Sequence, residues 1–183
     1  DDYFQSSLFT IARRRILWLL ILVLANGLTT KVIAMNDQIL KEIVLLAAFI
    51  PLLIGTGGNV GAQSSTVVIR GLSTQKLKSL GAFRAVLREA ITGGFLGICM
   101  MIVVFPFAWW QGEGPLIASA VGISLISITT LAATAGAILP LLFDRMGLDP
   151  ALMSSPFITT VTDIAGVFIY LSTANWLLNS SIL

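Results

Sequence analysis

Apolar residues fill five long stretches of the chain, and polar residues collect between them. The stretches lie at about residues 16–34, 43–68, 85–109, 116–143 and 157–178. At about 1.5 Å per residue, each is long enough to cross a hydrocarbon core about 30 Å thick. Backbone groups in lipid must be satisfied within the segment, and the stretches are too long and too little alternating for barrel strands. The pattern therefore predicts an all-α membrane protein with five transmembrane helices.

The composition is typical of a membrane protein and excludes several kinds of chemical site. Of the 183 residues, 56% are hydrophobic and 11% are charged, whereas a soluble domain carries about 25% charged residues. The chain has no histidine and one cysteine, Cys99. An internal disulfide and a thiolate metal cluster are therefore excluded, and the commonest general base is missing. We expect no enzymatic activity and no nucleic-acid partner, and the bilayer is the expected environment.

The basic residues are distributed very unequally between the two ends of the predicted spans. One end carries Lys31 and Lys41. The other end carries Arg13, Arg14, Arg15, Arg70, Lys76, Lys78, Arg84, Arg88 and Arg145. Because cytoplasmic loops are enriched in lysine and arginine, we expect a multi-pass protein of the cell membrane with a cytoplasmic N-terminus and an outside C-terminus.

One ionisable side chain, Asp163, lies well inside the fifth predicted span. A charge at the centre of a membrane helix costs roughly 2.5–3.5 kcal/mol or more, so such a residue usually has a function. Thr159, Gly166 and Tyr170 share its helical stripe by their spacing. Two interpretations stay open. Asp163 is either a neutral aspartic acid bonded to a neighbouring helix, or a carboxylate that faces water and binds a cation.

The second half of the second span is unusually polar. Gly55, Asn59, Gln63, Thr66 and Arg70 follow one another at steps of four, four, three and four residues, which is one helical face. Amide and hydroxyl oxygens are hard donors that suit a hard cation or its water shell. Tight helix packing through small residues is the alternative. It explains the glycines but leaves the two amides unexplained.

Two sequence motifs resemble a known family. One is Gly57-Gly58-Asn59-Val60-Gly61-Ala62-Gln63-Ser64. The other is Asp149-Pro150-Ala151-Leu152, followed by Pro156 and by Thr162-Asp163-Ile164-Ala165-Gly166. Together they resemble the transmembrane domain of the MgtE family of magnesium channels, and the resemblance covers residues 1–183.

The resemblance implies a homodimer with five helices per subunit, in which the second and fifth helices line a pore on the two-fold axis. It implies that Asp163 of both subunits holds a hydrated Mg²⁺, with Asn59 near the ion and Asp149 at the cytoplasmic mouth. With Thr159 and Gln63 from the spacing, these are the predicted metal-site residues. Family members usually carry regulatory cytoplasmic domains before this region, and we expect none of them within this chain.

Other functions stay open at this point. A transporter that exchanges Mg²⁺ for Na⁺ or H⁺ could use the same lone carboxylate. An intramembrane aspartyl hydrolase would need paired acids that share a proton, and a structural scaffold would tolerate Asp163→Asn. The donor set does not distinguish Mg²⁺ from Mn²⁺ or Ca²⁺.

Overall fold

The chain folds into a bundle of helices. The computed structural model describes residues 8–42, 44–75 and 81–180, and this part of the chain contains no strand. Its α-helices are α1 (Leu8–Met35), α2 (Asp37–Glu42), α3 (Val44–Ser73), α4 (Ala82–Ala108), α5 (Gly114–Arg145) and α6 (Pro150–Ser180). A π-helical turn, Trp109–Glu113, joins α4 to α5. The predicted all-α class is confirmed.

Within the described residues, four helical segments are long and apolar enough to cross a membrane. They are Val44–Ser73, Ala82–Gln111, Gly114–Arg145 and Pro156–Asn179, and they correspond to the second to fifth predicted spans. The first predicted span falls in α1, where the apolar segment is the shorter Leu19–Met35. The count of five spans therefore stays a prediction. Lys76 and Lys78, which contribute to the charge asymmetry, lie outside the described residues.

Helix α5 is the centre of the bundle, and α4 lies at its edge. In the most apolar 18-residue stretch of α5, 61% of the residues are buried. In the corresponding stretch of α4, 11% are buried. Helix α5 packs against α3, α4 and α6, while α1 packs mainly along α6. The largest fully buried apolar side chains of the core include Leu46, Leu53, Leu125, Ile128 and Leu171. The buried side chains of α3, α5 and α6 therefore pack together into one core.

Glycines bring α4 and α5 close together. A Cβ added at Gly93 would lie 2.5 Å from the carbonyl oxygen of Thr129. A Cβ added at Gly97 would lie 2.5 Å from Cα of Ile126. The pair forms a small-xxx-small motif, which lets membrane helices approach closely where lipid provides no hydrophobic drive for association.

The turn between α5 and α6 is defined by local hydrogen bonds. Gly147 has φ +71°, and the amide of Leu148 donates to the carbonyl oxygen of Phe143 at 2.9 Å. A glycine in this left-handed conformation is the usual end of an α-helix. The amide of Ala151 donates to Oδ1 of Asp149 at 2.9 Å, so Asp149 caps the start of α6. This turn fixes where α6 begins relative to α5.

Candidate functional site

Helix α3 presents two different faces. Its polar stripe is exposed and consists of Gly55, Asn59, Gln63, Thr66 and Arg70. The opposite face is buried and includes Leu53, Gly57, Val60, Gly61, Ser64 and Val68. A polar surface and a packing surface therefore coexist on one helix, and the two interpretations of this segment apply to different sides of it.

The buried glycines of α3 allow close packing. A Cβ at Gly57 would lie 2.7 Å from Cγ2 of Ile128, and one at Gly61 would lie 2.5 Å from Cγ2 of Ile158. A Cβ at Gly55, on the exposed stripe, would meet no atom within 4 Å. The small residues of the buried face are therefore required by α5 and α6.

These contacts also set the level of α6 against α3. Thr162 lies near Gly57, and Ile158 lies near Gly61, so the two helices run antiparallel. Asn59 is consequently level with the turn that separates Ile158 from Thr162. Asp163 lies within about one helical turn, or about 5 Å, of that level along the axis. The amide of α3 and the carboxyl group of α6 thus occur at similar depth.

Asp163 has an unusual environment for an acidic residue. It is half-buried and lies seven residues, or about 10 Å, after the start of the span at Pro156. Within the described part of the chain, its carboxyl group makes no hydrogen bond or ion pair; the ion pair found there joins Lys41 to Asp37. A carboxyl group at membrane depth is thus left without a compensating partner among the described residues.

The amides of α3 have similar surroundings. Asn59 and Gln63 are exposed, and neither side chain has a hydrogen-bond partner among the described residues. Thr66 donates its hydroxyl hydrogen to the carbonyl oxygen of Ala62 at 2.8 Å, which leaves its oxygen able to accept. The stripe therefore offers oxygen donors that no other part of the described chain uses.

The stripe around Asp163 changes character along α6. Thr159 is exposed, Asp163 is half-buried, and Gly166 and Tyr170 are buried. The face is thus open at Thr159 and closed at Gly166 and Tyr170, and Asp163 lies at the transition. Tyr170, fully buried in the core, is separated from the exposed surface.

Two cavities lie where α3 ends and α6 begins. One has a volume of about 400 Å³ and is lined by Ala62, Ser65, Thr66, Ile69, Arg70, Ser73 and Ala151. The other has a volume of about 520 Å³ and is lined by Ile69, Leu72, Ser73, Gln75, Asp144, Asp149 and Pro150. Asp149 therefore lies in a cavity at the end of the bundle, about 21 Å along α6 from Asp163.

The sequence predicted one of the two acidic residues that line this cavity. Asp149 was among the predicted residues, whereas Asp144 was not. A signal for it exists in the sequence, because Asp144 precedes Arg145 in the last turn of α5. Helix C-termini favour cations and disfavour acids, so an aspartate at that position is unfavourable locally and points to another use.

The described residues contain no cluster that could hold a metal ion alone. No group of three or more histidine, cysteine, aspartate or glutamate side chains comes together there. Asn59 and Gln63 are exposed on α3, Thr159 is exposed and Asp163 half-buried on α6, and Asp149 lies apart from them in the cavity at the end of the bundle. Of these five residues, Asp163 is the acid that lies inside a span.

Comparison with known proteins provides an independent result. A family model named MgtE, described as a divalent cation transporter, matches residues 50–173. "Magnesium transporter MgtE" of Thermus thermophilus is 39% identical over 166 residues, which cover 91% of this chain and 37% of that protein. The protein of the same name from Bacillus subtilis is 33% identical over 181 residues, covering 98% of this chain and 40% of the relative.

A third relative, "Magnesium transporter MgtE" of Enterococcus faecalis, is 36% identical over 168 residues, covering 90% of this chain and 36% of that protein. The chain therefore spans about two fifths of the length of the curated relatives it matches. The matched family transports cations and is not a family of enzymes, which confirms the expectation of no enzymatic activity and removes the hydrolase alternative. By the match across residues 50–173, the chain belongs to the MgtE family of divalent cation transporters.

Proposed function

We propose that this chain conducts hydrated Mg²⁺ across the membrane through a pore formed between two copies, with α3 and α6 of each copy lining the path. The observation that carries the proposal is Asp163, a half-exposed carboxyl group at membrane depth with no partner among the described residues. Against lipid this group would be costly. Joining two copies through this face would enclose it in a polar path.

The chemistry of Mg²⁺ supports this arrangement. Mg²⁺ gives up water reluctantly and is usually bound through one or two carboxylates while it keeps several waters. Two copies of Asp163 supply two negative charges for an ion of charge two. Asn59, Gln63 and Thr159 would then contact the water shell of the ion, since all three are exposed on the two helices proposed to line the path. The relatives are named magnesium transporters, which agrees with this choice of cargo.

Asp149 is proposed to act at the mouth of the path. One of its oxygens caps α6, and the carboxylate lies with Asp144 in the cavity at the end of the bundle. Two acids there raise the local concentration of cations, an effect that salt screens. The entrance would thereby attract cations before they reach Asp163.

The membrane arrangement completes the proposal. Helix α1 would form a fifth span, since its apolar segment Leu19–Met35 reaches about 26 Å. Five crossings with the basic end inside give a cytoplasmic N-terminus and a C-terminus outside.

A second candidate function is exchange of Mg²⁺ for Na⁺ or H⁺. The observation that favours it is also Asp163, because a carboxylate without a basic partner in the described chain can bind a proton in place of the cation. A channel carries flux down the Mg²⁺ gradient alone, whereas an exchanger needs the counter-ion gradient.

The deciding experiment measures Mg²⁺ uptake into proteoliposomes with no Na⁺ or pH gradient. We expect uptake with the parent chain and its loss with Asp163→Asn. Asp37→Asn is the matched control, since Asp37 is exposed at the far end of the bundle and paired with Lys41. Uptake that survives Asp163→Asn contradicts the site, and uptake that begins only with a counter-ion gradient favours the exchanger.

A further inference from the structure

A second amphipathic surface lies on α4, away from the polar face of α3 and α6. Its residues follow at steps of four, three, four, three and four: Arg84, Arg88, Ile91, Phe95, Ile98 and Ile102. These steps keep all six on one side of the helix. Ile91, Phe95 and Ile102 are 65%, 65% and 68% exposed. Two guanidinium groups therefore stand at the head of an open apolar stripe.

The charges at the head of this α4 stripe have no acidic partner among the described residues. Arg84 and Arg88 are exposed and form no ion pair with the described residues. The first turn of α4 contains no acidic residue. Glu89 is half-buried and points about 100° away from Arg88 around the helix. The stripe thus combines two positive charges, unpaired among the described residues, with about 17 Å of apolar surface from Ile91 to Ile102.

Helix α4 lies apart from the surface proposed for contact between two copies. Helix α4 packs on α5 through Gly93 and Gly97 and contacts α3 only slightly. The polar surface proposed for contact between two copies belongs to α3 and α6, on another side of α5. The α4 stripe therefore faces outward from the bundle.

We propose that the α4 stripe binds an anionic phospholipid, with its phosphate between Arg84 and Arg88 and an acyl chain along Ile91 to Ile102. Arginine forms paired hydrogen bonds with phosphate oxygens. The stripe is longer than one leaflet of hydrocarbon, about 15 Å, so it can cover a whole acyl chain. A zwitterionic lipid carries the same phosphate with a compensating ammonium group, which two unpaired guanidinium groups disfavour.

The test is native mass spectrometry of the purified chain in detergent with phosphatidylglycerol or phosphatidylcholine. We expect the parent to bind phosphatidylglycerol at least about fivefold more tightly than phosphatidylcholine, from two basic groups near the headgroup. The double variant Arg84→Gln/Arg88→Gln should lose this preference. Arg84→Lys/Arg88→Lys should keep part of it, since the charge remains and the paired hydrogen bonds are lost.

The matched control removes the same charge elsewhere. Arg13→Gln/Arg145→Gln takes away two exposed arginines outside the α4 stripe and should leave the preference for phosphatidylglycerol unchanged. Equal loss of the preference in both double variants would mean that general surface charge attracts the lipid, and would overturn the site. Equal binding of the two lipids by the parent would also overturn it.

A second measurement does not depend on the arginine variants folding. Phe95→Cys in a Cys99→Ser background should remain free of disulfides between copies in proteoliposomes, because lipid occupies the α4 stripe. Efficient disulfide formation at this position would show that another copy covers the stripe, which would contradict lipid binding there.

Discussion

At the scale of single residues, Asp149 combines a local structural role with a charge. Its Oδ1 accepts the amide hydrogen of Ala151, so it holds the first turn of α6, and its carboxylate also lines the acidic cavity. A capping side chain needs an oxygen but not a charge. The two roles can therefore be separated by choosing the replacement.

Asp149→Ala should lower both stability and Mg²⁺ uptake, whereas Asp149→Asn should lower uptake alone. Loss of an N-cap costs about 1 kcal/mol, and asparagine caps nearly as well as aspartate. Thermal unfolding in detergent and uptake into proteoliposomes measure the two effects. Normal uptake with Asp149→Asn would leave Asp149 as a cap only.

The exposed amides of α3 give a second prediction at this scale. In a Cys99→Ser background, Gln63→Cys should react quickly with a water-soluble, positively charged thiol reagent, and excess Mg²⁺ should slow the reaction. Ser64→Cys, on the buried face, should react slowly, because the reactive thiolate forms only where water reaches it. Equal rates at the two neighbouring positions would argue against a water-filled path along Gln63.

Much of the residue-level pattern could be predicted from the sequence, because helical spacing fixes which residues share a side. The spacing put Asn59, Gln63 and Thr66 together, and the structure has them on one exposed face. Spacing alone could not tell that Thr159 is exposed while Tyr170 is buried on the same stripe. That difference depends on where α6 meets α3 and α5, which is a tertiary property.

At the scale of helices, α3 shows why small residues are required on one side only. Gly61 contacts Ile158, and a Cβ there would also lie 3.2 Å from the carbonyl oxygen of Ala132. Gly58, three residues earlier, would meet nothing within 4 Å. The sequence shows two similar glycines, and only the neighbouring helices distinguish them.

Gly61→Ala should therefore destabilise the bundle, and Gly58→Ala should not. Forcing an extra carbon into a packed contact typically costs about 1–3 kcal/mol, while alanine at an open helical position gains about 0.5–1 kcal/mol over glycine. Thermal unfolding of both variants in the same detergent gives the comparison. Equal unfolding temperatures would mean that α6 moves aside at little cost.

The ends of the helices were less predictable than their apolar centres. The fifth predicted span began near residue 157, whereas α6 begins at Pro150, because an aspartate cap followed by proline starts a helix before the apolar stretch does. The π-helical turn at Trp109–Glu113 and the close approach at Gly93 and Gly97 were not predicted. Hydropathy indicates which segments lie in lipid, and it carries no information on helix caps, π-helical turns or close helix contacts.

At the scale of the whole molecule, a single chain has a polar surface at membrane depth that lipid does not suit. The side chains of Asn59 and Gln63 on α3 and the carboxyl group of Asp163 lie at membrane depth without partners among the described residues. The α4 stripe, by contrast, is apolar below its two arginines. Lipid suits the second surface but not the first, so the two sides of the bundle should have different neighbours.

The chain should accordingly be a dimer in detergent that joins through the surface of α3 and α6. Light scattering should give a protein mass of twice 19.5 kDa. In a Cys99→Ser background, Thr159→Cys should form a disulfide between copies, because a two-fold axis beside Asp163 brings the two exposed Thr159 positions together. Ile102→Cys, at the far end of the α4 stripe, should not. A monomer that still binds Mg²⁺, or disulfides confined to Ile102→Cys, would rule out a pore between α3 and α6 of two copies, since the ion would then need a path within one chain.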